Sequence, residues 1–442
     1  MTLSDHQTLA LKAIRSRDRN VFLTGMAGTG KSFLVQSYIA SLDGTERVAA
    51  CATTGIAALN LQDNIRRFAD KDIPAHTIYR WAGIGIGPKG DQTDDQFIYD
   101  FMNNKSPHAY SARSRIYNTQ QLIIDEISML PGRIFNLLDR IFRVVRCNPV
   151  EPFGGMSIVA VGDFLQLPPP SRTGQYDWCF LSQSWIGADF QCFYLQDIFR
   201  QSEREFIDVL NDFRVGRLRG KSAELIQTRI ARFPSDRIVR LFTHNVQVDH
   251  WNDAKLECIE GQEEHVFVAE TGGDANEAAK LVKDLVTPQT LRLKVGARVM
   301  ITANQTVCGE LLAANGETGT VIDINREHEL ITIQKDSGDV YKTGRYKWQY
   351  DRRNPRSGYF VQFPLRLAYA MTIHKSQGLT LDSAVIDIRA ARDPGQAYVA
   401  VSRVKSLDGL WLKDSVSGIF VSNEAIALYK KLSAGSPSGL PQ

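Results

Sequence analysis

The feature that most constrains the fold is a glycine-rich loop near the N-terminus. The run from Gly25 to Ser32 reads GMAGTGKS, with a Lys-Ser pair directly after the last glycine. Glycines let the backbone turn tightly, so that its N–H groups converge on phosphate oxygens. Residues 20–24 predict a buried strand, and residues 33–41 predict a helix whose positive N-terminal end faces the phosphates. The sequence therefore predicts a nucleotide-binding loop in which Lys31 contacts the β- and γ-phosphates and Ser32 binds Mg²⁺.

Composition narrows the class of protein around this loop. The 442 residues are 43% hydrophobic and 23% charged, which is typical of a globular protein with about two to four domains. The net charge is +3, so any basic surface has to be local. The six cysteines form no CxxC pair, which argues against a zinc or iron–sulfur site and favours a reducing compartment. No apolar run approaches the ~20 residues that cross a bilayer, and no targeting leader precedes the first helix. We expect a cytosolic protein.

Two carboxylates follow a second predicted strand. Residues 121–124 predict a largely apolar strand, and Asp125 and Glu126 come directly after it. In phosphate-loop proteins this strand end lies beside the metal ion, so Asp125 is expected to hold Mg²⁺ through water. Glu126 is placed to polarise the attacking water as a general base. The alternative is an ordinary solvated strand end.

Two further strand ends carry polar side chains that point to the same edge. Residues 47–52 predict a strand that ends in Thr53-Thr54-Gly55, which suits either phosphate contact or a simple helix N-cap. Residues 157–161 predict a strand that leads into GDFLQLPPP, where Gln166 can sense the γ-phosphate or merely precede a proline stop. The alternation of strands and helices predicts an α/β fold with a parallel, RecA-like sheet.

The rest of the chain predicts an insertion and a second unit. Residues 83–119 change from Gly/Pro-rich to acidic to basic, which indicates an insertion between core strands. A second unit is expected from about residue 190. Residues 195–217 have helical spacing with an apolar stripe that includes Phe199 and Phe206. Arg200 in this helix is either a solvated charge or an arginine finger that reaches the γ-phosphate from the second domain.

The segment from 295 to 362 predicts short strands and a small barrel. Residues 340–381 contain eight basic residues and a single acid, Asp351, interleaved with aromatic side chains. The basic residues are Lys342, Arg345, Lys347, Arg352, Arg353, Arg356, Arg366 and Lys375. This composition suits a surface for single-stranded nucleic acid, or else an ordinary barrel face. Residues 433–442 are rich in Gly, Ser and Pro, which predicts a disordered tail.

Seven segments, in order along nearly the whole chain, resemble the Pif (petite integration frequency) helicases. These belong to the five-prime-to-three-prime branch of superfamily-one helicases, with RecD and the phage Dda enzyme. The segments are GMAGTGKS, ATTGIAA, LIIDEISML, GDFLQLPP, FRQSEREFIDVLNDFRVGRL, LAYAMTIHKSQGLTLD and YVAVSRVKSLDGL. The resemblance implies two RecA-like domains with ATP and Mg²⁺ bound between them, a wedge insertion in the first domain and an SH3-like barrel in the second.

The implied domain boundaries follow from this fold. Residues 1–190 are the first RecA-like domain, with the wedge at about 79–95. Residues 191–255 and 363–432 are the second RecA-like domain, and residues 256–362 are its insertion, with the barrel at about 295–362.

The resemblance also implies roles for individual residues. Gln7, in a helix predicted over residues 3–17, is similar to the family's adenine-reading glutamine. The implied catalytic set is Lys31, Asp125, Glu126, Gln166, Arg200 and Arg403, with both arginines as fingers from the second domain. The implied nucleotide contacts are Gln7, Gly25, Ala27, Gly28, Thr29, Gly30, Lys31, Ser32 and Gly378, and the implied metal ligands are Ser32 and Asp125. The implied DNA contacts are Thr53, Thr54, Gly55, Tyr79, Trp81, Thr243, His244, Asn245, His374, Lys375 and Ser376.

Three departures from the family pattern bear on these expectations. Tyr79 stands where the family usually has a histidine, so Tyr79 and Trp81 suit base stacking better than a specific hydrogen bond. The segment from 62 to 75 is longer than the family's short link. No long N-terminal extension is present, which suggests a minimal helicase core of bacterial or phage type.

The expected activity is that of an ATP-dependent DNA helicase acting as a monomer in the cytoplasm, in the nucleoid or in a phage-infected host. The resemblance implies movement from 5′ to 3′ on single-stranded DNA and unwinding of tailed or forked duplexes. G-quadruplexes and RNA–DNA hybrids are further substrates to test, with roles in replication, repair, recombination and telomere maintenance. The alternatives are a translocase that displaces bound proteins without unwinding, and a non-catalytic nucleic-acid binder.

Overall fold

The computed structural model describes residues 3–69, 73–171, 173–231, 238–307, 310–350, 354–416 and 418–434. The chain divides into two compact units. The first comprises Met1–Ser202, Asp393–Gly395 and Val421–Gln442, and the second comprises Glu203–Arg392 and Gln396–Phe420. Part of the predicted basic segment, Asp351 with Arg352 and Arg353, lies outside the described residues, and so do Cys308 and the predicted tail from residue 435 onward.

A parallel sheet forms the centre of the first unit. Its strands in the described part of the chain are β1 (Val21–Gly25), β2 (Val48–Ala52), β3 (Ala75–Thr77), β4 (Gln121–Asp125), β5 (Ser157–Val161) and β6 (Gln191–Leu195). Their order is β3-β2-β4-β5-β1-β6, and every neighbouring pair is parallel. Strands β1 and β5 are buried at every position, as expected for central strands of a sheet that is covered on both faces.

Helices cover the first sheet on both faces. They are α1 (Asp5–Ser16), α2 (Lys31–Ala40), α3 (Gly55–Ala69), α4 (Ile78–Trp81), α5 (Asp94–Asn103), α6 (Pro107–Asn118), α7 (Gly132–Val145) and α8 (Gln183–Gly187). Alternate strand residues enter different cores: Phe22 packs in one cluster with α7, and Leu23 packs in another with α1 and α2. This alternation explains why the strands read as continuous apolar runs.

The region predicted as an insertion, residues 83–119, is more closely tied to the first unit than expected. It contains α5 and α6, and the side chains of Ile98, Phe101, Ala112 and Ile116 join the same apolar cluster as α7. The insertion is therefore a helical layer packed on the core.

The second unit combines a parallel sheet with antiparallel strands. Its helices are α9 (Arg204–Val215), α10 (Gly220–Gln227), α11 (Asn245–Glu257), α12 (Ala275–Asp284) and α13 (Gln396–Val401). Its strands begin with β7 (Val239–Phe242), β8 (His265–Val268), β9 (Glu270–Gly272), β10 (Thr290–Leu293), β11 (Arg298–Ile301), β12 (Gln305–Val307), β13 (Glu310–Ala313) and β14 (Thr318–Asn325). They continue with β15 (Leu330–Lys335), β16 (Val340–Thr343), β17 (Tyr346–Gln349), β18 (Tyr359–Gln362), β19 (Leu365–Leu367), β20 (Ala370–Thr372), β21 (Ala384–Ile386) and β22 (Leu410–Leu412).

Two sheets organise this unit in its described residues. The parallel sheet has the order β20-β7-β21-β22. The antiparallel sheet has the order β16-β15-β14-β11-β19 and packs on a separate apolar core, in the region predicted as a barrel. Strands β17 and β18 lie in the segment predicted as the barrel. They instead form a separate three-stranded sheet with β9, in the order β17-β18-β9.

Two segments near the unit boundary differ from the sequence predictions. Residues 191–195 are not helical and do not open the second unit, because β6 pairs in register with β1 of the first sheet. The predicted helix of 195–217 begins only at Arg204. The chain also returns to the first unit at Val421 and ends its described part with helix α14 (Asn423–Ala434). Among the described residues, no helix is long and apolar enough to cross a membrane.

Candidate active site

The glycine-rich loop joins the end of β1 to the start of α2, as predicted. Gly28 and Gly30 have φ values of +84° and +80°, which favour glycine. The Thr29 hydroxyl donates to Met26 O at 2.9 Å and braces the turn. The Lys31 ammonium donates to Gly25 O at 2.7 Å and to Met26 O at 2.9 Å. The loop is therefore folded as an anion cradle, with the lysine held across its mouth.

Neighbouring segments press closely on the two loop glycines. A Cβ on Gly28 would lie 2.7 Å from Arg200 Cβ, and a Cβ on Gly30 would lie 2.7 Å from Gln7 Nε2. Phe199 N also donates to Gly28 O at 2.8 Å. No larger residue fits at these two positions without displacing the segments that carry Gln7 and Arg200.

Gln7 lies where an adenine reader of this loop would be expected. Its side chain completes a capping box with Ser4 at the start of α1. Its Nε2 also donates to Thr29 O at 3.4 Å. Gln7 is thus buried and bonded to the phosphate loop in this structure.

Asp125 is the last residue of β4, the strand that separates β2 from β5, and Glu126 follows it. Burial and the adjacent Glu126 raise the pKa of Asp125 to about 7, although the Glu126 N–H and Lys31 favour its charged form. Glu126 has φ +53°, which is costly for a residue with a side chain. A strained backbone and two crowded carboxylates are features that occur at functional sites, and a bound cation would relieve their repulsion.

Gln166 belongs to a tight turn after β5. Its N–H donates to Asp163 O at 3.0 Å, and Leu165 N donates to the buried Asp163 carboxylate at 3.1 Å. Because β1, β4 and β5 are adjacent parallel strands, their carboxyl ends lie at one edge of the sheet. The structure therefore brings the phosphate loop, the carboxylates and the Gln166 turn together, as predicted.

The position of Arg200 differs from the prediction. The sequence placed it on a helix of the second domain, but it lies between β6 and α9, in the first unit, against Gly28. The chain stays extended here because β6 pairs along β1, and the next residues wrap over the phosphate loop. Phe199, predicted as part of an apolar helix face, is 60% exposed. Arg200 is thus beside the loop without any contribution from the second unit.

Arg403 lies in the second unit, after α13. It is only 3% exposed, and its guanidinium donates to Val399 O at 2.8 Å and to the Ser402 hydroxyl at 2.9 Å. These bonds hold it against its own helix in this structure.

The residues Thr53, Thr54 and Gly55 have local structural roles. Thr53 Oγ1 donates to Glu126 O at 2.9 Å, and Thr54 Oγ1 accepts from Ala57 N at 3.2 Å at the start of α3. Gly55 is the first residue of α3. Thr54 therefore caps the start of α3, which was the alternative to a phosphate contact. Thr53 stabilises the backbone of Glu126.

The aromatic pair at the predicted wedge is mostly unavailable to bases. Trp81 is 4% exposed, and its ring packs edge-on against Phe142 with centroids 5.8 Å apart. Tyr79 is half-buried and packs on the same cluster. The structure argues against the predicted stacking role of Trp81, because helix α4 turns the indole into the core.

The second unit places its predicted DNA residues at the ends of two adjacent parallel strands. Thr243 directly follows β7 and is buried, whereas His244 and Asn245 are exposed at the start of α11. His374 and Lys375 follow β20, with His374 exposed and Lys375 half-buried. Their strands, β7 and β20, are direct neighbours. These residues therefore share one edge of the second sheet.

Some of the predicted ligand contacts of the second unit are not accessible in this structure. Ser376 is 0% exposed, and its hydroxyl donates to Ile373 O at 2.7 Å. Gly378 has φ +84° and is exposed, in the second unit and not in the phosphate loop. Burial and the nearby Arg366 lower the pKa of Lys375, while Asp249 opposes the shift. Lys375 is thus a partly buried cation whose charged form is less favoured than that of an exposed lysine.

One residue that supports this edge, Asn252, is not apparent in the sequence. Asn252 of α11 accepts from Ala370 N at 2.8 Å and donates to Ala370 O at 3.1 Å, which caps the edge strand β20. Arg366 is buried, and burial lowers its pKa to about 10. Asn252 and Ala370 are 118 residues apart, and no local pattern indicates such a pairing.

The predicted basic and aromatic surface does not form one face. Tyr341, Trp348 and Arg366 are buried. Arg345 is engaged with Glu329, and Lys347 lies over the Tyr359 ring at 4.3 Å. The described part of this segment therefore agrees better with the alternative prediction, an ordinary face of the barrel, than with a surface for nucleic acid.

The site's residues fit a nucleoside triphosphate with a divalent cation. The cradle of positive-φ glycines and Lys31 suits a polyphosphate, and Asp125 with the exposed Ser32 hydroxyl offers the oxygen ligands that Mg²⁺ prefers. Burial and the neighbouring Glu126 raise the pKa of Asp125, and a divalent cation would favour its charged form.

Comparisons with known proteins agree with this geometry. The family model for PIF1-like helicases matches residues 2–224. The chain is 35% identical over 432 residues to the ATP-dependent DNA helicase Pif1 of Bdellovibrio bacteriovorus, covering 97% of this chain and 92% of that protein. It is 34% identical to the ATP-dependent DNA helicase PIF1 of Danio rerio, of which it spans 64%.

Solved structures give the same result. The Pif1 helicase from Candida albicans matches with a TM-score of 0.76 and 32% identity, over 98% of this chain and 100% of that one. Bacteroides sp Pif1 in complex with ADP-AlF4 matches with a TM-score of 0.79 and 30% identity over all of both chains. The fold, the phosphate loop with its carboxylates and these similarities together show that the chain belongs to the PIF1-like helicase family.

Proposed function

We propose that this chain is an ATP-dependent DNA helicase that hydrolyses ATP at the first unit and moves along single-stranded DNA. One observation carries the proposal. The anion cradle, the Asp125–Glu126 pair and the Gln166 turn lie at one edge of a single parallel sheet. This is the arrangement that phosphoryl transfer to water requires, since it combines phosphate binding with a base and a charge sensor.

The chain's own residues divide the reaction between them. The loop N–H groups and Lys31 hold the phosphates, and Glu126 accepts a proton from the attacking water. The water oxygen bonds to the γ-phosphorus while the bond to the β–γ bridging oxygen breaks, which gives ADP and phosphate. Asp125 and Ser32 would hold Mg²⁺, which supplies neutralisation of the phosphate charge.

Gln166, Arg200 and Arg403 are proposed as the groups that respond to the γ-phosphate. The contact of Arg200 with the phosphate loop supports its role, because little movement separates it from the bound phosphates. Arg403 would first exchange its bonds to Val399 and Ser402 for the phosphate. Gln7, which is bonded to the phosphate loop, is proposed to read adenine.

The proposed track for DNA includes His244, Asn245, His374 and Lys375. Exposure of His244, Asn245 and His374 at one edge of the second sheet, beside the half-buried Lys375, supports the assignment. Bacteroides Pif1 has been solved bound to ssDNA, and another structure concerns unwinding at forked dsDNA by two coordinating Pif1 helicases. We propose single-stranded and tailed or forked DNA as substrates, and a monomer as the active form.

The remaining functional details are proposed from the family resemblance. They are 5′-to-3′ polarity, action on intracellular DNA in replication, repair and recombination, and activity on G-quadruplexes or RNA–DNA hybrids. A second candidate is a translocase that displaces bound proteins with little unwinding. The burial of Trp81 favours this candidate, since it removes one predicted strand-separating contact.

Strand separation of matched duplexes with a 5′ or a 3′ single-stranded tail distinguishes these functions. A helicase of the proposed polarity unwinds the 5′-tailed duplex in the presence of ATP and leaves the 3′-tailed duplex intact. Phosphate release on single-stranded DNA without unwinding of either duplex would instead support the translocase. Absence of DNA-stimulated phosphate release would overturn both.

A further inference from the structure

A buried tyrosine of the last helix contacts the base of the phosphate loop. Tyr429 of α14 is 6% exposed, and its ring packs at the edge of the core beneath the first sheet. Its hydroxyl lies 2.7 Å from Thr24 Oγ1, 3.0 Å from Asp163 Oδ1 and 3.1 Å from Phe164 N. Three segments that are far apart in sequence therefore meet at one oxygen.

The directions of these hydrogen bonds follow from the available protons. Phe164 N can only donate, and the Asp163 carboxylate can only accept. The single Tyr429 proton therefore goes to Asp163, and the Thr24 hydroxyl has to donate to Tyr429. The tyrosine oxygen accepts two bonds and donates one, and this uses its hydrogen-bonding capacity in full. A phenylalanine would preserve the ring but leave all three buried groups without this partner.

The groups at either end of this network lead directly into the proposed ATPase site. Thr24 is the residue before Gly25, where the phosphate loop begins. Asp163 opens the turn that holds Gln166, through the bonds from Leu165 N and Gln166 N. Gly162 N also donates to Leu23 O at 3.1 Å, so the two strand ends are already paired just below the tyrosine.

We infer that Tyr429 is a positioning residue that fixes the γ-phosphate-sensing turn of Gln166 relative to the phosphate loop. The inference rests on the proposed function, because it concerns the geometry of the ATP-hydrolysing state. The hydroxyl links the strand end before the loop to the turn after β5, so a displacement of one is transmitted to the other.

The physical consequence concerns the rate of hydrolysis more than nucleotide affinity. The phosphates bind through loop N–H groups and Lys31, which Tyr429 does not touch. Gln166 acts on the γ-phosphate during transfer, and a displacement of about 1 Å in a positioned group costs up to about 10²-fold in rate. Loss of the hydroxyl should therefore lower kcat and leave the KM for ATP nearly unchanged.

The test is the single-strand-stimulated ATPase of the full chain, compared for wild type, Tyr429→Phe and Tyr38→Phe. Tyr38 is a matched control. Its buried hydroxyl bonds to Gln121 and Arg17 at the far end of β4, so its loss costs stability without touching the Gln166 turn. We expect kcat to fall about tenfold in Tyr429→Phe, with KM within about twofold of wild type. Tyr38→Phe should lower the melting temperature but keep the kcat of wild type.

A second pair of variants tests the same bond from its other end. Thr24→Val removes the hydroxyl that donates to Tyr429 and keeps the β-branched shape, whereas Thr24→Ser keeps the hydroxyl. We expect Thr24→Val to reproduce the loss of kcat and Thr24→Ser to restore it, and this pair decides the question if Tyr429→Phe fails to fold. A folded Tyr429→Phe or Thr24→Val with wild-type kcat would overturn the positioning role alone. A wild type without ATPase activity would overturn the proposed function, and the inference with it.

Discussion

The proposed ATP site and the proposed DNA track differ in how their residues are held. In the first unit, the groups proposed to form the ATP site are packed against one another: the loop glycines lie close to Gln7 and Arg200, and Thr53 supports Glu126. In the second unit, His244, Asn245 and His374 are exposed at strand ends, and Ser376 is turned inward. A site for a small, highly charged ligand is built before the ligand arrives, while a track for a flexible polymer needs only a row of accessible side chains.

The largest expected effect comes from removing Glu126, the proposed general base of the ATP site. Glu126→Gln keeps the shape of the side chain but cannot accept the proton of the attacking water. We expect single-strand-stimulated kcat to fall by about 10³-fold while ATP binding persists. The measurement is steady-state phosphate release together with binding of a fluorescent ATP analogue. Lys31→Ala is the contrasting variant, since it should lose binding as well as hydrolysis.

Arg200→Ala should have an effect of the same order. The side chain lies against the phosphate loop within the first unit, so its loss should slow hydrolysis by about 10³-fold or more without abolishing ATP binding. Arg204→Ala is a matched control, because Arg204 is an exposed arginine at the start of α9. An Arg200→Ala variant with the kcat of wild type would remove Arg200 from the site.

A stability measurement tests the electrostatic strain of the built site. The folded state raises the pKa of Asp125 from 3.8 to about 7, so the folded chain binds a proton that the unfolded chain releases at lower pH. Stability from this proton is complete below about pH 4 and is lost as the pH rises through about 7. Asp125→Asn should therefore be more stable than wild type at pH 8 without Mg²⁺, by roughly 2–4 kcal/mol. The difference should shrink as the pH falls from 7 toward 4. Equal thermal midpoints at pH 8 would contradict the predicted strain.

The smallest effects distinguish accessible from buried residues on the track. Lys375→Ala should weaken single-strand binding and reduce the slope of log affinity against log salt by about 1. Ser376→Ala should cost about 1 kcal/mol of stability, because it removes a buried hydrogen bond, and leave DNA affinity unchanged. Fluorescence anisotropy of a labelled oligonucleotide at several salt concentrations measures both. A loss of affinity in Ser376→Ala as large as in Lys375→Ala would mean that Ser376 turns outward on DNA.

The first site was more predictable from sequence than the second for a physical reason. Each of its parts is a local pattern at a strand end, and a parallel sheet brings the ends of neighbouring strands together. Lys31, Asp125, Glu126 and Gln166 therefore lie where the patterns placed them. Arg200 was placed on the wrong element, because helical spacing of apolar residues does not reveal that residues 191–195 pair as an edge strand.

The sequence patterns did not reveal which of the predicted site residues have buried side chains. Trp81 and Ser376 stand in motifs that resemble DNA contacts, yet both are turned into the core by the elements that carry them. Contacts between residues that are far apart in the sequence could not be predicted either. The bonds of Tyr429 to Thr24 and Asp163 span 405 and 266 residues, and no local signal in the sequence indicates either.

The most direct test of the account is unwinding of a 5′-tailed duplex by wild type and by Lys31→Ala, with the 3′-tailed duplex as the matched control. We expect ATP-dependent strand separation of the 5′-tailed duplex by the wild type, and none by Lys31→Ala although its DNA binding persists. Equal unwinding by the two proteins would contradict the central claim, which is that the phosphate loop of the first unit powers the movement of this chain on DNA.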